Sequence, residues 1–109
     1  MFGDIGKMME MMTVVKKVKK ELPALKEKLN NTEYSEQVAG GLVSATVNGK
    51  LQLINLNLSE QSSELPKEEL EDLIKAAVNA AQATAARATA EAMKELTGGV
   101  DLGDLGSLL

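Results

Sequence analysis

Cysteine, histidine and tryptophan are absent from this 109-residue chain, and its aromatics are one Phe and one Tyr, Phe2 and Tyr34. Without cysteine there is neither a disulfide framework nor a thiolate metal site. Without histidine the commonest general base is missing, and with it the Cys and His-assisted Ser nucleophiles. Six serines remain, none in a nucleophile-elbow or Ser-x-x-Lys context. The reading is a protein that is not an enzyme and carries no cofactor or metal. Two aromatics cannot build a platform for stacking single-stranded bases. No stretch approaches the ~20 consecutive apolar residues of a membrane helix. The Met-rich start, interrupted by Asp4, Lys7 and Glu10, is unlike a signal peptide. The expectation is therefore a soluble, cytoplasmic protein with no membrane partner and no small-molecule substrate.

What the chain does have is one sheet-like stretch between two helical ones. Gly41 to Leu58 reads GLVSATVNGKLQLINLNL, with β-branched and aliphatic residues flanking Asn48-Gly49, the dipeptide suited to a two-residue type I′ hairpin turn. A tight turn sets Val47 opposite Lys50, Thr46 opposite Leu51, Ala45 opposite Gln52 and Val43 opposite Ile54. Val43, Ala45, Val47, Ile54, Leu56 and Leu58 then share one face, and Leu42, Leu51 and Leu53 lie on the other with Ser44, Thr46, Asn55 and Asn57. Two faces bearing large aliphatics call for two covers, and in so small a chain the second is another copy of itself. The expected dimer interface is Leu42, Val43, Leu51, Leu53 and Ile54. The alternative is a bulge near Leu53-Ile54 that switches faces within one chain.

Before the hairpin, apolar residues recur at Met8, Met11, Val15, Val18, Leu22, Leu25 and Leu29. This alternating three–four spacing predicts a seamed helix over about 4–30, kinked but unbroken at Pro23. The Met cluster at 8, 9, 11 and 12 reads as packing. Residues 34–38 suit a first strand, and Ala39-Gly40-Gly41 a sharp reversal. Strands are expected over about 34–38, 42–48 and 50–58. Pro66 and the acids Glu68, Glu69, Glu71 and Asp72 mark the start of a helix over about 66–96. Its inward stripe is Leu70, Leu73, Ile74, Ala77, Ala81, Ala85, Ala88 and Ala92. The bulky members should cover the hairpin, and the alanines should let the first helix approach. Strands of about 23 Å are shorter than either helix, so the free helix ends should run side by side as an arm. Length suits a single α–β–α domain over 1–99, followed by a mobile Gly/Leu-rich tail over 100–109.

Net charge is −4, but unevenly spread. Residues 1–31 carry seven lysines against four acids, and residues 60–72 carry six acids against Lys67. Lys16, Lys17, Lys19 and Lys20 form the densest charge run. Such a stripe is either a solvated face or a set of point charges that displace counterions from nucleic-acid phosphates without reading bases.

Ala39-Gly40-Gly41-Leu42-Val43 followed by Val47-Asn48-Gly49 resembles the glycine–hairpin signature of the YbaB/EbfC family of bacterial nucleoid-associated proteins. Glu69-Leu70-Glu71-Asp72-Leu73-Ile74-Lys75-Ala76-Ala77-Val78-Asn79-Ala80-Ala81 resembles that family's second-helix motif, and the Met1-Phe2-Gly3 start and glycine-rich end are also similar. The resemblance spans essentially the whole chain in order. It implies an α+β fold: a long helix, a small antiparallel sheet of two or three strands, and a second long helix, assembled as a tweezer-like homodimer. It also implies binding of duplex DNA with little or modest sequence preference in the bacterial nucleoid, in nucleoid organisation or gene regulation. The family's association of DNA contacts with basic helical residues maps onto Lys16, Lys17, Lys19 and Lys20, and further onto Lys26, Lys28, Arg87 and Lys94. The alternative is a homodimeric protein-interaction module that uses the Met-rich heptad face of the first helix.

Overall fold

The computed structural model describes residues 2–98. Helix α1 (Phe2–Asn31) leads into strands β1 (Glu33–Val38), β2 (Val43–Asn48) and β3 (Leu53–Leu58), and helix α2 (Lys67–Leu96) follows. The strands form one antiparallel sheet in the order β1-β2-β3. This is the expected α+β fold. The expected tail over 100–109 lies outside the described residues. The chain divides into two compact units. Among the described residues, a sheet unit comprises 29–89, and a helical unit comprises 2–28 together with 90–98. Each helix contributes to both.

In the sheet unit, β2 is the central strand and alternates buried and half-buried from Val43 to Asn48. Val43, Ala45 and Val47 are fully enclosed, and they form one cluster with Ala77, Ala81 and Ala85 of α2. Ala77, Ala81 and Ala85 therefore lie against the sheet, which for these three corrects the expectation that the alanines would face the other helix. A helix can settle closely on a sheet only where its contact stripe is small, so the bulky Leu70, Leu73 and Ile74 flank that contact, partly buried. Enclosing Val43 and Val47 stabilises the fold by about 1.5–3 kcal/mol each. On β1, Tyr34 and Val38 join the same cluster. The Glu36 carboxylate, on the same face, accepts a hydrogen bond from the Thr84 hydroxyl of α2 at 2.8 Å.

The hairpin differs from the expected tight turn. Leu53, not Lys50, pairs with Val47, Leu56 with Ala45 and Leu58 with Val43, and the register shifts between Thr46 and Val47, leaving Ile54 as the extra residue of a bulge. The bulge moves Leu53 onto the face of Val47. The opposite face then carries Ser35, Gln37, Ser44, Thr46, Asn55 and Asn57, with Ser35 and Thr46 hydroxyls hydrogen-bonded at 2.6 Å. One face is apolar, enclosed by α2 at β2 but exposed at Leu53 and Leu58 of β3, and the other is polar. The demand for a second cover on the opposite face disappears, and the bulge alternative describes the sheet.

Side-chain chemistry sets the loop from Gly49 to Gln52. The Asn48 side-chain oxygen accepts from the backbone N–H groups of Lys50 and Gln52 at 2.9 and 3.1 Å, and its amide donates to the Gln52 side-chain oxygen. The positive φ falls on Leu51, at 65°, not on the Asn-Gly pair. Gly49 is needed for another reason: a Cβ there would collide with the carbonyl of Leu29, where α1 ends. Between β1 and β2 the reversal is as read from the sequence, with Ala39, Gly40 and Gly41 all at positive φ.

In the helical unit, α1 runs through Pro23 without a break. Val18 on α1 and Leu96 and Thr97 at the end of α2 are buried. Met11 and Val14 line a recess with Thr97 and Gly98, so the early turns of α1 and the end of α2 lie beside each other. Little else is enclosed here, and the long charged side chains stand in solvent.

Candidate nucleic-acid interface

Lys16, Lys17, Lys19 and Lys20 are all exposed on α1. Helical geometry explains why. Val18, between the two pairs, faces inward at 4% exposure, and residues one and two positions away turn 100–200° from it. Among the described residues the ion pair is Lys75–Asp72 on α2, 3.9 Å apart, so no carboxylate holds the four α1 amines. They remain point charges able to exchange counterions for phosphates.

Of the other predicted cations, Lys26 and Lys28 are exposed on α1 and Lys94 is exposed on α2, all in the helical unit. Arg87 is exposed on α2 in the sheet unit. On α1, Lys16, Lys19, Lys20 and Lys26 fall within one arc of about 120°, with Lys17 and Lys28 turned to the side. No carboxylate occurs on that arc between Met8 and Lys26, because Glu10 and Glu21 point elsewhere. The acidic sum of the chain conceals this: its acids concentrate in residues 60–72, in the sheet unit.

Sequence reading missed one feature. Met8, Met9 and Met12 are 64%, 65% and 58% exposed, although the cluster reads as packing. Met9 and Met12 fall off the three–four spacing, which was the available signal. Met11, on the spacing, is half-buried. Of the predicted interface residues, Val43 is fully enclosed by its own chain and has no surface to offer. Leu42 is half-buried, while Leu51, Leu53 and Ile54 are exposed. Leu58 of β3, read as part of an apolar strand face but not of the interface, is exposed as well.

A small α+β protein with a bulged three-stranded sheet and a carboxylate-free row of lysines on a long helix is the class that these features define. Comparison with known proteins makes it specific. The YbaB/EbfC DNA-binding family matches residues 4–100, and the chain belongs to that family. A protein of Clostridium kluyveri named nucleoid-associated protein is 33% identical over 102 residues, 93% of this chain and 90% of the relative. One of the same name from Anaeromyxobacter dehalogenans is 38% identical, covering 84% of this chain and 90% of the relative. Among solved structures, the crystal structure of an uncharacterized Helicobacter pylori protein has a TM-score of 0.60 at 26% identity, covering 70% of this chain and 89% of that one. The family is named for DNA binding, not for a reaction. Among the described residues no helix is long and apolar enough to cross a membrane.

Proposed function

We propose that this chain is a bacterial nucleoid DNA-binding protein that holds duplex DNA chiefly through backbone phosphates, with Lys16, Lys17, Lys19 and Lys20 supplying the contacts and Lys26, Lys94 and Arg87 adding to them. The observation that carries the reading is the quartet itself: exposed, unpaired with any carboxylate, and continued from Lys16, Lys19 and Lys20 to Lys26 along an arc whose first carboxylate after Met8 is Glu27. Family membership and relatives named nucleoid-associated protein support it. Lysine ammonium groups give charge without the bidentate fork that reads guanine, and the chain's one arginine leaves little capacity for base readout. A regulatory role in this reading follows from occupying DNA, not from recognising a sequence.

The functional unit in this proposal is a homodimer. β3 is a sheet edge whose Leu53, Ile54 and Leu58, with Leu51 of the loop before it, are 42–48% exposed. An uncovered apolar edge strand is a ready pairing surface, and a second copy offers the same surface by symmetry. Size exclusion with light scattering should give twice the chain mass for the wild type. It should give the single-chain mass for Leu53→Lys/Ile54→Lys.

The test of the grip is a salt titration of binding to a random-sequence duplex. Log K should fall linearly with log salt, by about 0.9 for each phosphate engaged. Replacing Lys16, Lys17, Lys19 and Lys20 by Glu should abolish measurable binding at 100 mM salt. Binding that is flat in salt, or indifferent to this variant, removes the proposal.

A further inference from the structure

Met8, Met9 and Met12 lie within the same arc of α1, about 120° wide, as Lys16, Lys19 and Lys20. All six side chains are exposed. Met8, Met11, Met12 and Val15 line a recess that opens onto Lys16 and Lys19. Exposed apolar side chains scattered singly need no explanation, but three large ones grouped beside cations form a patch that suits an occupant both apolar and anionic.

A lipid surface and a nucleic-acid duplex both answer that description, and the arrangement along the helix separates them. A helix lying in a bilayer interface carries its apolar stripe along its length, with cations on the opposite, polar face. Here the methionines occupy the second and third turns of α1 and the lysines follow them along the same face. That order suits an apolar patch on the helix side entering a base step while the amines beyond it reach the phosphates. Met12 and Lys16 are about 6 Å apart along the axis, and Met8 and Lys20 about 18 Å, so the amines meet phosphates within a few base pairs of the patch. Methionine is unbranched and flexible, which lets it enter a narrow gap without requiring a fixed shape.

We propose that Met8, Met9 and Met12 form a wedge that opens a base step and bends the duplex, with Lys16, Lys19 and Lys20 anchoring the flanking phosphates. This rests on the DNA-binding reading above and adds a mode to it.

The experiment uses the full chain and a 30-base-pair duplex carrying a fluorescence donor and acceptor at its ends, together with ligation of a nicked plasmid in the presence of protein. Wild type should raise energy transfer and shift the topoisomer distribution. Met8→Ser/Met9→Ser/Met12→Ser should keep the salt slope but lose the bend and the topoisomer shift, with affinity down about 3–10-fold. Met→Leu at the same positions, apolar and of similar size, should restore the bend. Lys16→Ala/Lys19→Ala/Lys20→Ala should instead flatten the salt slope, by about 0.9 for each phosphate no longer engaged.

A serine variant that bends and unwinds DNA like wild type, beside a lysine variant with a flattened slope, overturns the wedge and leaves phosphate binding standing. Wild type that fails to bind duplex even at low salt overturns both. A serine variant with normal bending that has lost binding to phosphatidylglycerol vesicles, or has lost the wild-type mass in light scattering, makes lipid or a second copy the occupant and overturns the wedge.

Discussion

The sheet unit and the helical unit spend the same kinds of residue differently. In the sheet unit six small side chains, Val43, Ala45, Val47, Ala77, Ala81 and Ala85, are enclosed to within 1%. Several polar groups there are matched, Glu36 to Thr84, Asn48 to its own loop, and Gln82 to the Leu51 carbonyl at 3.1 Å, whereas the Ser59 and Thr89 hydroxyls are buried without a partner. In the helical unit three methionines and a lysine quartet face water. The contrast separates the region that fixes the backbone from the region that presents surface. A change in the first should therefore be read in stability, and a change in the second in binding.

The most damaging test is Ala81→Glu. Ala81 has no exposure, so a carboxylate there is buried without a partner and should cost more than about 4 kcal/mol, leaving no cooperative urea transition. Next is Gly49→Ala. Its new methyl meets the Leu29 carbonyl, and the urea midpoint should fall by an equivalent of about 1–3 kcal/mol. An unchanged midpoint would return Gly49 to the role of an ordinary turn glycine.

Leu51→Gly should act in the opposite direction. Leu51 holds a φ of 65°, a left-handed conformation that costs a residue with a Cβ about 1–2 kcal/mol. Glycine removes that strain but loses more chain entropy, for a net gain of about 0.5–1 kcal/mol at fixed protein concentration. A loss of stability would show that the exposed Leu51 side chain contributes more by packing than its backbone loses by strain. The smallest effect belongs to the helical unit: Met9→Ser should change stability by less than about 0.5 kcal/mol. A larger loss would mean that the exposed methionine supports the fold after all.

Much of this architecture was legible in the chain. The α2 stripe from Leu70 to Ala92 predicts an inward face, and its members are buried or half-buried, because a 3.6-residue period has one geometric solution. The reversal at Ala39-Gly40-Gly41 was legible because glycine tolerates a positive φ. Exposure of the lysine quartet follows from its position around Val18. The hairpin register was not legible. Asn48-Gly49 matches a two-residue turn by composition, and nothing local reveals that the Gly49 position is crowded by a carbonyl from 20 residues earlier.

By itself, then, the sequence determined the element order, the apolar stripes, the cation row and the absence of the usual catalytic side chains, since these depend on residue type and spacing along a single element. Tertiary structure alone decided which strand residues pair and that Met8, although on the apolar spacing, stays in water. It also decided that one face of the sheet is polar throughout. Those outcomes depend on one extra residue at Ile54 and on side chains brought together from distant positions. A one-residue shift inverts every face of a strand beyond it, and the energy that chooses between registers lies in contacts that no local window contains.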